Sequence, residues 1–166
     1  MNSKENNETL LEAESVLDDV DVLTLVEDDL PDWFEANDRA RKVAKQLSSC
    51  VGGLNQLEID TGFAECRFVE VYWHSVEAGM LNVVRISRQL PLATAGRIRG
   101  SRRSKGSLEL SSIDTSVLGG CADVVEREGF RLVGADELGV VLSSERRAQV
   151  ASYGVETVFD ALFVEY

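Results

Sequence analysis

Few residues in this 166-residue chain are of a kind and spacing that could do chemistry. His74 is the single histidine, which excludes any site built from two imidazoles. No Cys-x-x-Cys or His-x-x-x-His spacing occurs, so neither a metal nor a cofactor is expected. Cys50, Cys66 and Cys121 each fall in an apolar pattern and read as small buried hydrophobes rather than as a disulfide framework. A sharper alternative starts a helix at Gly120. Cys121 would then lie at a positive helix terminus behind Gly119-Gly120, where its pKa would fall, and with His74 as base it would make a small thiol-dependent enzyme. No Gly-x-Ser-x-Gly elbow and no dinucleotide fingerprint is present. The carboxylate pairs Asp123 with Glu126 and Asp136 with Glu137 fall where helix surfaces and turns ordinarily put them. No catalytic residue is singled out, and a binding role is favoured over an enzyme.

The second candidate is a basic run. Arg97, Arg99, Arg102, Arg103 and Lys105 put five of the chain's 17 bases into nine residues. Ser104-Lys105-Gly106-Ser107 has the wrong order for a phosphate loop, because no Gly-Lys-Ser/Thr ending presents the lysine from a following helix. Pro91, Gly96, Gly100 and Gly106 break the segment, so residues 91–111 are expected to form a solvated loop. Its functional alternatives are an anion or nucleic-acid contact, or a clasp for acids elsewhere in the chain. No aromatic interrupts the arginines, so base stacking is not supported.

Those acids are concentrated. Residues 1–38 hold 13 of the 29 acids and one base, Lys4, a balance of 1 − 13 = −12 that equals the net charge of the whole chain. The remainder holds 16 acids and 16 bases and is neutral. Residues 1–36 therefore read as an acidic, partly ordered arm in front of a neutral domain, 37–166. The arm disfavours nucleic acid as a partner of the full chain. Trp33 and Phe34 lie inside its acidic run, either tucked onto the domain or forming a docking segment that orders on a protein partner. No run approaches the roughly 18 apolar residues of a membrane helix, and the polar start from Met1 to Asn7 has no signal-peptide core. A reduced, cytoplasmic setting is the expectation.

The positioning elements follow from periodicity. Asn37 can cap a helix whose apolar residues Ala40, Val43, Ala44, Leu47 and Val51 share a face, with Arg39, Arg41, Lys42 and Lys45 opposite and Gly52-Gly53 as its end. Strands are expected over 54–60, 65–74 and 79–88. In the second, Val69, Val71 and Trp73 share one face and Phe68 and Tyr72 the other. Asp114 can cap a second helix with Val117, Leu118, Cys121, Val124 and Val125 inward, ending at Gly129. Short strands over 130–133 and 138–143, a helix from Ser144 to about Tyr153 and an apolar C-terminus complete the order α-β-β-β-α-β-β-α. At 44 % apolar and 28 % charged residues, the composition suits a globular α+β domain. The expected architecture is an antiparallel sheet of about five strands flanked by three helices.

That element order, together with the size and acidity, is similar in outline to small acidic secretion chaperones and to acidic α+β toxin-immunity proteins, with no shared motif. The resemblance implies a non-catalytic, chaperone-like or immunity-like protein-binding module that uses its acidic arm and sheet surface. The binding residues expected are Trp33, Phe34, Arg97, Arg99, Arg102, Arg103 and Lys105.

Overall fold

Strand alternation organises the molecule. In a computed structural model describing residues 33–51, 57–60, 68–88, 90–101, 103–144 and 155–163, β1 (Glu58–Asp60), β2 (Phe68–His74), β3 (Met80–Ser87) and β4 (Leu92–Ser101) pair in sequence order as an antiparallel meander. Two short strands complete a six-stranded sheet: β5 (Ser104–Lys105) is antiparallel to the end of β4, and β6 (Arg131–Leu132) is parallel to its start. The fold is thus mixed α+β with a mixed sheet. The parallel pair corrects the all-antiparallel expectation. Its reason is the long crossover between β4 and β6, which parallel pairing requires.

One face of the sheet carries Val69, Val71, Trp73, Val84, Ile86, Ala93 and Ala95. Helix α1 (Trp33–Val51) covers it through Val43, Ala44 and Leu47, the residues its periodicity selects. The crossover lies beside α1, as a 3₁₀ helix over Thr115–Cys121 followed by α2 (Ala122–Arg127), and buries Leu118, Cys121, Val124 and Val125. Asp114 caps it as expected, accepting from the Ser116 N–H at 3.0 Å, while Gly119, at φ +52° and ψ −129°, divides it into two pieces. The opposite face holds two apolar groups. The larger packs Phe68 and Leu92 against the C-terminal segment and α4 (Val158–Phe163), and the smaller joins Leu81, Val83, Ile98 and Leu108.

Several expectations need correction. Helix α1 starts at Trp33, so Asn37 lies inside the helix rather than capping it. Residues 91–111 are not one loop: 92–101 and 104–105 are strand, and 106–109 have no regular structure. Thr94, Gly96 and Ile98 alternate with Ala93, Ala95 and Arg97 down β4, and this period of two outweighs the glycines. Gly96 is there because a Cβ would meet the Ser112 carbonyl oxygen at 2.2 Å. Residues 138–143 form no strand beyond a single bridge, Val141 to Thr157. Gly134, Asp136 and Glu137 favour instead the one-turn helix α3 (Ala135–Leu138), where the Gly134 N–H donates to Glu137 Oε2 at 3.3 Å. The expected helix from Ser144 lies almost wholly outside the described residues, as does the acidic arm up to Asp32.

The cysteines also depart from expectation. Cys50, exposed in the last turn of α1, is disulfide-bonded to Cys121, with Cα atoms 5.8 Å apart across 71 residues of sequence. Both positions looked apolar in sequence, but α1 and the crossover dock side by side on one sheet face and bring them together. In the chain-entropy view, a cross-link of that span restrains the unfolded chain by about 4 kcal/mol. Cys66 lies outside the described residues. No described helix is long and apolar enough to cross a membrane.

Candidate functional site

Sheet register aligns three ionisable residues in one row. Asp60 on β1 is opposite Glu70 on β2, and Glu70 is opposite Arg85 on β3. Register partners share a face, so all three project to the side of Phe68 and Tyr72. Two carboxylates directly opposite one another repel. The β4–β5 hairpin relieves this by curling over the sheet at Gly100, where φ is +138° and a Cβ would meet the Ser104 carbonyl oxygen at 2.4 Å. Lys105 thereby lands between the two acids, donating to Asp60 Oδ2 and Glu70 Oε1 at 2.6 Å each. Its ammonium also lies 4.7 Å from the Tyr72 ring centroid.

Arg85 is the hub. Its Nε donates to Glu70 Oε2 at 2.8 Å, its Nη2 to Ser107 Oγ at 3.3 Å, and its Nη1 to the Leu108 carbonyl at 3.4 Å and to the Phe163 carbonyl. The guanidinium stacks 4.3 Å from the Phe68 ring centroid. The sheet, the irregular segment following the hairpin and the C-terminal helix all converge on this one side chain. Glu70 and Arg85 are only 3 % and 4 % exposed, which is tolerable because each charge is paired and hydrogen-bonded. Beside them opens a cavity of about 250 Å³, lined by Asp60, Phe68, Glu70, Arg85, Lys105, Gly106 and Ser107.

The charges of the row are committed to one another. Burial draws the Lys105 ammonium down, but hydrogen bonds to Asp60 and Glu70 and their negative charge more than offset this, holding its pKa above the ordinary 10.5. It therefore remains a cation at neutral pH, without the depressed pKa of a lysine base. Burial likewise raises the Tyr72 hydroxyl above 10.0, opposed by Lys105 and reinforced by Glu58, Asp60 and Glu70. What the cavity presents is a set of mutually paired donors and acceptors beside the Phe68 ring. Among the described residues no cluster of three or more potential metal ligands occurs.

The residues expected from sequence are scattered. Arg97 and Arg99 lie on the face opposite Lys105, since β4 alternates, and Arg97 Nε donates to Asn82 Oδ1 at 3.4 Å. Arg103 is exposed beside the hairpin turn, and Arg102 lies outside the described residues. Of the four described bases, only Lys105 belongs to the site, so Arg97, Arg99, Arg103 and Lys105 do not form one continuous patch. Trp33 and Phe34 open α1, with side chains outside the described set. His74 is exposed at the end of β2, on the Phe68 face, whereas Cys121 is in the core of the other face and, as half of a disulfide, has no thiol to ionise. The two are not brought together.

Sequence reasoning missed Glu70 and Arg85. A signal existed: Arg85 interrupts the apolar run Val83-Val84-Arg85-Ile86, and Glu70 falls between Phe68 and Tyr72 on one strand face. A lone charge in an otherwise apolar stripe implies a buried, paired charge. No protein-family model, no curated protein and no solved structure matches this chain.

Proposed function

We propose that this chain is a non-catalytic protein-binding module, chaperone-like or immunity-like in kind, whose contact surface is the sheet face around the Asp60–Glu70–Arg85–Lys105 row. The observation that carries this reading is the mutual neutralisation of the four side chains lining the cavity, with Lys105 held protonated. Ionisable groups at an active site are usually poised to exchange protons near neutral pH. Here they are locked into hydrogen bonds that fix shape and polarity, as recognition requires. In the same reading the acidic arm, whose 12 acids and one base carry 1 − 12 = −11 of the chain's net charge of −12, is a second docking element and directs the choice of partner towards a basic surface.

The test is affinity capture on the immobilised full chain from its native cells, with two variants in parallel. Ser107→Trp fills the cavity mouth, and Asp18→Asn/Asp19→Asn/Asp21→Asn weakens the arm. A single protein species retained by the natural chain and lost with Ser107→Trp supports the sheet-face contact. Additional salt-sensitive loss with the arm variant supports the second element. Retention unchanged by both variants overturns the proposal.

A further inference from the structure

The two halves of the Cys50–Cys121 disulfide differ in access. Cys50 is exposed on the last turn of α1, whereas Cys121 is 7 % exposed and packs with the core group containing Leu118, Val124 and Val125. Cys50 is therefore the more accessible half for an attacking thiolate. The backbone preceding Cys121 has room to move, since a Cβ placed on Gly119 or Gly120 would meet nothing within 4 Å. Among the described residues, and apart from apolar packing, Gln46 Nε2 of α1 donates to Glu128 Oε1, and the Arg39 guanidinium lies 4.4 Å from the Phe130 ring centroid. The disulfide is thus a covalent latch on the C-terminal end of α1, added to the packing of Leu47 and Val51, and Cys50 is its more exposed half.

We propose that Cys50–Cys121 is a thiol-exchange site at which a reductant of the thiol class forms a mixed disulfide with Cys50 and unlatches the end of α1 from the Thr115–Arg127 segment. The reductant's thiolate attacks Sγ of Cys50, and the bond to Cys121 breaks with its electron pair going to Sγ of Cys121. If the reductant carries a second thiol, that group attacks the mixed disulfide, closes the reductant's own disulfide and releases Cys50. Two electrons have then passed from the dithiol to the protein, and each cysteine takes up a proton from solvent. The β1–β4 meander is hydrogen-bonded independently of the latch and keeps its register. The inference does not depend on the proposed binding role, because it concerns the opposite sheet face.

The experiment uses the oxidised full chain with glutathione as the probe, followed by alkylation and digestion on the C-terminal side of glutamate. Cleavage after Glu58 separates Cys50 from Cys66, so peptide mass spectrometry identifies the modified residue. The expected adduct is on Cys50. Amide hydrogen exchange after reduction with dithiothreitol is expected to accelerate by about tenfold or more over 47–51 and 118–124, with β2 and β3 unchanged. The double variant Cys50→Ser/Cys121→Ser should show the fast pattern with and without reductant. An adduct on Cys121, resistance to both thiols in the folded protein, or exchange in α1 unaffected by reduction would each overturn the proposal.

Discussion

Removing Glu70 tests the central row most directly. The Glu70 and Arg85 side chains are 4 % and 5 % exposed and joined at 2.8 Å, so Glu70→Ala leaves a buried guanidinium with only neutral acceptors. Breaking one side of such a pair costs about 3–5 kcal/mol. Asp60 belongs to the same network, yet its side chain is 45 % exposed, and Lys105 keeps Glu70 when it is removed. Asp60→Ala should therefore cost about 1 kcal/mol or less. With a urea m-value of about 2 kcal/mol/M, the unfolding midpoint followed by circular dichroism should fall by roughly 1.5–2.5 M for Glu70→Ala and by under about 0.5 M for Asp60→Ala. Arg85→Met should resemble Glu70→Ala, since it leaves the Leu108 and Phe163 carbonyls without a donor from Arg85. The double variant Glu70→Ala/Arg85→Met should cost less than the sum of the two singles by about 2 kcal/mol, because no uncompensated charge of the pair remains. Costs that add within about 0.5 kcal/mol, or a Glu70→Ala midpoint no lower than that of Asp60→Ala, would refute the account of the row as a coupled buried network.

Alkaline unfolding offers a second test. Lys105 and Tyr72 both have folded pKa values raised above their ordinary 10.5 and 10.0, so their contribution is complete below pH 10 and is lost as pH rises through the folded values. Lys105→Met should flatten the stability profile above pH 10, and an unchanged slope there would contradict the assignment. In β4, Gly96→Ala places a Cβ 2.2 Å from the Ser112 carbonyl oxygen and 2.8 Å from Leu108 Cδ1, and should destabilise by about 3 kcal/mol in the same urea assay. A neutral Gly96→Ala would mean that the strand and the 110–112 turn are not in close contact.

The sequence determined whatever depends on neighbours along the chain. Period-two alternation in Phe68–His74 assigned Val69, Val71 and Trp73 to one face and Phe68 and Tyr72 to the other, and the structure keeps that division. Helical spacing selected Val43, Ala44 and Leu47, which α1 buries, and Asp114 read as a cap and is one. Apolar burial is non-directional and repeats with the backbone period, so it leaves a trace in the order of residues. The local reading failed at 138–143, where the capped turn Ala135–Leu138 takes the first residue of the expected strand and only the Val141–Thr157 bridge remains, and at Gly96 and Gly100, glycines that lie within strand β4 rather than in a loop.

The site itself was decided by tertiary structure. Asp60, Glu70, Arg85 and Lys105 become one row only when strand register sets 60 opposite 70 and 70 opposite 85, and when the hairpin folds Lys105 back across the sheet. Cys50 and Cys121 become partners only when α1 and the crossover dock on the same face, 71 residues apart in sequence. Ion pairs, hydrogen bonds and disulfides are short-ranged and directional, so their partners are fixed by three-dimensional register rather than by spacing along the chain. A one-residue slip of β2 against β3 would preserve the composition and send Glu70 to the opposite face, away from Arg85.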